Sequence, residues 1–412
     1  MILGRPILSS LKKYWVHAFL LISVACVDSY TPQVLSYNLN LLVVDGFINS
    51  GSGPTQIRLS RTQNIAETGK AKPELHAEVI VEREDGAFYA LTDSENSGTY
   101  SGNVTIMPQH YRLKITTKDQ KTYRSEFVEI KNTPAIDDVN WRIENNGIKL
   151  YVNTHDAHEA VGYYQWEFEE TWHFRSEFCT NLEYKNGKIV AMDPFIDIHN
   201  CWQTDKPKDK ILIASTSSLS ENRVSQFPIT FVSAETEKMG IRYSILVRQY
   251  SVTRENFEYL QALRKNTEEL GSIFDPQPSH NTGNVVNVND PLEQVLGYVG
   301  AHNMHEQRIF IARSELQDSL LFTVPPKTYC YDPVITTLPS DSVSYLRTLT
   351  VYYENAYVLP INPSDSLPPV LKLTNIPFAQ KSCVDCRLRG TNVKPDFWVD
   401  TEVYDGARGC NF

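Results

Sequence analysis

The chain has 412 residues, 41% of them hydrophobic and 21% charged, which is enough apolar material for packed cores and excludes a disordered chain. Its 39 basic and 49 acidic residues give a formal charge of −10 with no Lys/Arg cluster, and phosphate neutralisation needs a basic face, so nucleic acid is excluded as a partner. The length calls for two domains or three, and 22 Tyr and 17 Phe favour pleated, half-buried surfaces, so an all-β fold is expected.

In chain order, residues 1–25 come first. Arg5, Lys12 and Lys13 precede a short apolar stretch, Trp15 to Ala25, broken by His17 and Ser23, which is the layout of a signal peptide. A stretch of this length falls short of the roughly 20 apolar residues that a membrane-spanning helix requires. Ser23-Val24-Ala25-Cys26 resembles a lipobox, with Ser23 where Leu is usual. Cys26 is therefore expected to carry lipid, and residues 26–38 to form a polar tether. Removal of residues 1–25 leaves 36 basic against 49 acidic residues, a net charge of −13.

Residues 39–133 alternate as strands do, with candidates at 39–48, 55–62, 77–84, 87–93, 111–117 and 122–130. Asp85-Gly86 marks a hairpin between the third and fourth, and Lys118 to Lys121 a turn between the last two. The spacing predicts a small sandwich of immunoglobulin or prealbumin type. Thr133-Pro134 marks the boundary to a larger β-rich domain over 134–412, because a proline restricts the residue before it. Tyr164, Trp166 and Phe168 alternate with Gln165, Glu167 and Glu169 in one strand, and further strands are expected at 135–143, 211–216, 228–233, 242–252, 308–316 and 349–359. One helix is predicted from Arg254 to Leu270, with Thr253 as its cap and Gly271 closing it. Residues 325–346 and 360–370 read as loops.

With Cys26 assigned to lipid, Cys179, Cys201, Cys330, Cys383, Cys386 and Cys410 remain. An even number in an exported chain reads as disulfides, whose pairing the sequence leaves open. Cys383 and Cys386 form a C-x-x-C, but the βαβ context of a redox site and the second ligand pair of a zinc ribbon are both missing, so no metal site is assigned and no cofactor is expected. The carboxy-terminal stretch ending in Phe397 and Trp398 is expected to be a structural clasp, its C-x-x-C either a strained local loop or two separate bridges to earlier segments. No Gly-x-Ser-x-Gly elbow, phosphate loop or zinc-protease helix occurs. The His155 to Glu159 run reads as a solvated turn, His302 and His305 as flanks of a strand, and Glu167, Glu169 and Glu170 as a polar sheet face. The chain is thus expected not to be an enzyme. The loop from Phe274 to Asn284 offers Asp275, Asn281 and Asn284 as a candidate docking or ligand loop, or as a structural plug after the helix.

LLVVDGFI (41–48), TPAIDDV (133–139), YYQWEFE (163–169), Cys201-Trp202, GSIFDPQPSHNTGNVVNV (271–288), VLGYVGA (295–301) and CVDCRLRGTNVKPDFW (383–398) occur in that order. In these stretches the chain resembles the Bacteroidota lipoproteins of domain-of-unknown-function family 4249. Genes of that family typically lie beside those of TonB-dependent receptors. The resemblance implies an outer-membrane lipoprotein, anchored through Cys26 in a leaflet the sequence leaves open, acting as a non-catalytic accessory or ligand-binding partner of such a transporter in uptake of an unidentified nutrient. The alternative is an adhesive or structural surface lipoprotein. The family supplies no catalytic residues.

Overall fold

The computed structural model describes residues 40–63, 69, 71–185, 188–207, 210–268, 283–316, 330, 334–337, 344, 347 and 375–400. Two units are distinguished, one of residues 1–40 and 63–70, the other of 41–62 and 71–412. Of the first, only Asn40, Gln63 and Gly69 are described. Every element below belongs to the second, and most are strands, as composition and alternation predict.

The amino-terminal strands are β1 (Leu42–Asn49), β2 (Thr55–Arg61), β3 (Lys72–Pro73), β4 (Glu78–Arg83), β5 (Phe88–Leu91), β6 (Thr99–Gly102), β7 (Tyr111–Thr116), β8 (Thr122–Ser125) and β9 (Ile130–Lys131). Next come β10 (Ile136–Glu144), β11 (Gly147–His155), β12 (Tyr163–Arg175), β13 (Leu182–Lys185), β14 (Lys188–Ala191), β15 (Asn200–Asp205), β16 (Leu212–Ser215), β17 (Arg223–Ser233) and β18 (Arg242–Ser251). Helix α1 (Arg254–Glu268) precedes β19 (Val285–Asn287), β20 (Val295–Leu296), β21 (Ala301–His302) and β22 (Met304–Ala312). Last are β23 (Val334–Thr337), β24 (Asn375–Phe378) and α2 (Lys381–Val384).

The predicted turns form where their chemistry requires. Gly86 takes φ +95° between β4 and β5, which pair from Glu82↔Phe88 to Val79↔Leu91. Asp85 accepts the Ala87 N–H at 3.1 Å and a fork from Arg83 at 2.7 Å, an Asx-type closure of the turn. Thr253 caps α1 by accepting the Asn256 N–H at 3.2 Å. Gly271, its expected terminator, lies outside the described residues, as does the predicted strand at 349–359. β23 lies inside the stretch read as a loop and pairs with β24; a two-stranded partner too far along the chain for a hairpin signal makes it a strand.

The first core joins two sheets, β3-β2-β1-β21-β9 with β6 on β2 and β20 on β1, and β19-β8-β7-β4-β5. Leu42, Val44, Ile57 and Leu59 from one meet Val79, Val81, Leu113 and Ile115 from the other, all but fully buried, in a sandwich-like lobe. Its strands do not all precede residue 134. Residues 285–302 return from beyond α1 and supply β19, β20 and β21, with Val285, Val295, Val299 and Ala301 in this core. Gly297 shows why VLGYVGA can pack so closely against β1. Its φ is +123°, and a Cβ there would sit 1.9 Å from the Val44 carbonyl oxygen.

The second core lies between β10-β11-β17 and β15-β12-β18-β22, with β16 on β12. Trp166, Phe168, Trp172 and Phe174 of β12 and Tyr243, Ile245 and Val247 of β18 face Ile148, Leu150, Val152 and Val232. Thr133 sits where the chain passes between the two cores. It is 4% exposed, donates from Oγ1 to the Asn303 carbonyl at 2.6 Å and accepts the Ser251 N–H at 2.9 Å. Phe47 stacks on His302 at 4.1 Å between ring centres and meets Tyr250 edge-on at 5.4 Å. The Thr133-Pro134 step is therefore a hydrogen-bonded crossing, not a loose linker.

Candidate functional site

Strand alternation gives the five-stranded sheet of the second lobe two faces. One is the core. The other carries Glu167, Glu169, Thr171 and His173 from β12, Trp202 and Thr204 from β15, Arg242, Ser244 and Arg248 from β18, and Glu306, Arg308 and Phe310 from β22, in register across the strands.

Glu169 is buried at 7% exposure, with Lys206 Nζ at 2.7 Å, Arg308 Nη2 at 3.4 Å and Arg248 Nη2 at 3.7 Å. Burial alone would raise its pKa, but the hydrogen bond from Lys206 and the surrounding cations hold it below the usual carboxylate range. Its neighbour Glu170 points to the opposite side, into the core, where it accepts from Tyr243 Oη at 2.8 Å and Lys238 Nζ at 2.6 Å. The expected polar face of three glutamates is thus corrected: Glu170 falls in phase with the inward Phe168 and Trp172 and is satisfied inside the core. Adjacent strand residues on opposite faces cannot flank one scissile bond, so these two carboxylates do not form an acid/base pair.

Along the same face runs an aromatic and cationic row. His173 stacks on Trp202 at 4.9 Å and bonds Asn200 Oδ1 at 3.2 Å through Nε2; burial depresses its pKa to about 4, so the ring is neutral. Trp398 stands edge-on to Trp202 at 6.3 Å and to Phe310 at 5.5 Å. The Arg242 guanidinium lies 4.8 Å from the Phe310 ring centre, and that of Arg308 3.6 Å from that of Phe397.

The tail that delivers Trp398 is tied down by two separate bridges. Cys386 bonds Cys201 in β15, 185 residues away, and Cys383 bonds Cys330. Cys179 is disulfide-bonded as well, while Cys26 and Cys410 lie outside the described residues. Backbone pairing of Trp202 with Thr391, and the Cys386 N–H to Ile198 O bond at 2.8 Å, align the tail along β15. Trp398 is 6% exposed and Phe397 38%, which is the geometry of a clasp. With their sulfurs in disulfides, Cys383 and Cys386 are not metal ligands, and among the described residues no group of three His, Cys, Asp or Glu is placed to hold a metal ion.

The candidate ligand loop resolves differently. Asp275 and Asn281 lie outside the described residues. Asn284 is 5% exposed; its Nδ2 donates to Val299 O at 2.9 Å and its Oδ1 accepts the Val299 N–H at 2.8 Å. Both ends of the amide are spent on one backbone residue, as in a strand ladder, so Asn284 is structural and not a ligand group. In the histidine run, His155 ends β11 and meets Asp137 at 2.7 Å, and the His158 side chain is 96% exposed. His302 is buried between Phe47 and Tyr250.

The sequence alone does not mark Arg242, Trp202 and His173 as site residues. A partial signal is present, since Arg242 opens the predicted strand at 242–252 and Trp202 follows Cys201, but their convergence needs the pairing of β15, β12 and β18.

A profile of the family described as Domain of unknown function (DUF4249) matches residues 27–308. No curated protein matches. Among solved structures, the chicken interferon gamma receptor alpha chain is 12% identical, covering 50% of this chain and 87% of its own, with a TM-score of 0.12. A proposed carbohydrate binding protein from Bacteroides uniformis ATCC 8492 is 9% identical over 52% of this chain and 91% of its own, with a TM-score of 0.12. Scores this low carry no argument about fold or ligand.

Proposed function

The chain belongs to the DUF4249 family, and on that premise we propose that it is an exported outer-membrane lipoprotein, anchored through Cys26, that serves as a non-catalytic binding partner of a TonB-dependent transporter in nutrient uptake. The observation that carries the export half is the pair of bridges Cys201–Cys386 and Cys330–Cys383, because disulfides persist in oxidising compartments and are rare where thiols are kept reduced. Arg5, Lys12 and Lys13, the apolar stretch and Ser23-Val24-Ala25-Cys26 supply the address and the anchor. Among the described residues no helix is long and apolar enough to cross a membrane.

The transporter half rests on what the family resemblance implies. The second lobe has a sheet face rich in Arg, Glu and aromatic side chains, a composition suited to a polar ligand or a protein partner. Affinity purification from detergent-solubilised membranes tests the partnership. A TonB-dependent receptor that co-purifies supports it, and recovery of the lipoprotein without one favours an adhesive or structural role. Cys26→Ala should move the protein from the membrane to the soluble fraction; retention on membranes in high salt would remove the anchor assignment.

A further inference from the structure

The outward face of the second lobe holds a mismatch. Arg242 Nε and Nη1 and Trp202 Nε1 are buried without a hydrogen-bond partner. Buried donors are nearly always paired, so three on one face call for an explanation. Burial lowers the Arg242 pKa, with Glu315 and Asp400 opposing that shift at a distance. Against Trp202, and against the Phe310 ring on which Arg242 stacks, lies the strap from Lys394 to Asp400. Among the described residues its hydrogen bonds run within itself, from the Trp398 N–H to Pro395 O and between Lys394 and Asp400. It meets the sheet through rings, Trp398 against Trp202 and Phe310 and Phe397 under Arg308. Ring packing leaves donors unanswered, and the carboxylate of Asp400, whose charge reaches both His173 and Arg242, offers them charge without a bond.

We infer that the face around Arg242 and Trp202 is a binding site for an oxyanion, a carboxylate or phosphate group on a small ligand, and that the strap is its autoinhibitory cover with Asp400 as the resident counter-charge. The guanidinium and the indole N–H are both donors, and His173 is neutral, so the complement they lack is an acceptor with negative charge. When the ligand enters, its oxygens take the orphaned N–H groups and Trp398 leaves its seat between Trp202 and Phe310. The site is independent of the transporter partnership, being a property of the isolated chain.

The test is titration of the purified full mature chain with citrate and, separately, with inorganic phosphate, at ionic strength matched with sodium chloride, followed by calorimetry and tryptophan emission. Saturable binding with a red shift of emission is expected for at least one probe, and which one saturates distinguishes carboxylate from phosphate. Arg242→Gln should weaken binding at least tenfold while leaving the melting temperature equal or higher, since it removes a half-buried charge whose Nε and Nη1 have no hydrogen-bond partner. Asp400→Asn should tighten binding about threefold by removing the competing carboxylate. Absence of saturation by both probes, or affinity unchanged in Arg242→Gln, overturns the site. If Arg242→Gln does not fold, Asp400→Asn decides alone: tighter binding supports the cover, and unchanged or weaker binding overturns it. Because no receptor is present in the titration, failure here leaves the transporter reading standing, and failure to co-purify a receptor leaves this one.

Discussion

The two lobes close their sheets by opposite means. The first is completed by residues 285–302, which return to it and pair buried polar side chains of their own as they pack. Asn284 pairs with Val299, and Glu293 accepts from Tyr123, Lys121 and Asn287 at 2.7 Å each. The second is completed by a disulfide-tied tail whose aromatic strap packs on Trp202 and Phe310 and leaves the side-chain donors of Trp202 and Arg242 unbonded. A return segment that pairs its buried amides and carboxylate, with His302 Nδ1 the exception, is part of the fold. A cover that leaves donors unanswered marks a surface with another use, and it is the second lobe that holds the candidate site.

If the tail depends on its bridges, Cys201→Ala together with Cys386→Ala should have the largest effect, about 4 kcal/mol, because the loop released is 185 residues long. Denaturant unfolding would measure it; a loss below about 1 kcal/mol would mean that ring packing alone seats the tail.

Trp398→Ala comes next, at about 3 kcal/mol, the usual cost of removing a buried indole. It separates clasp from exposed platform: unchanged stability with lost ligand binding would refute the clasp.

For the first lobe, Asn284→Ala should cost about 2 kcal/mol, since it strands the Val299 N–H and carbonyl in a buried site. Asn284→Asp should also destabilise, because a carboxylate cannot donate to that carbonyl. A neutral result in thermal melts would show that water can replace the amide and that the first lobe is less closed than its contacts suggest.

The smallest effect is the pH dependence carried by the junction. Burial lowers the His302 pKa from 6.5 to about 4, so the unfolded chain binds the proton more readily than the folded one. The stability from this group is fully present above pH 6.5 and is lost as pH falls from there towards 4. At pH 5.5 the loss is about 1 kcal/mol. His302→Phe, which keeps a ring beside Phe47 and Tyr250, should flatten the profile of melting temperature against pH in that window; an unaltered slope would assign the dependence to other groups, His173 first.

What the sequence determined by itself is local. Alternation of period two placed most of the strands from 55 to 131 and from 223 to 251, Asp85-Gly86 a hairpin, and Thr253 the start of α1, because each depends on residues a few positions apart. The clasp was legible in outline, since Pro395, Phe397 and Trp398 follow a C-x-x-C. Tertiary structure decided the rest. The cysteine partners, the return of 285–302 to the first core, the partners that satisfy Glu170 inside the second, and the use of Asn284 as a backbone partner all join residues 15 or more positions apart. The face around Arg242 belongs to the same class. His173, Trp202 and Arg242 sit in one row only because β15 and β18 flank β12, and strand order is set by which faces bury together, not by any periodicity along the chain.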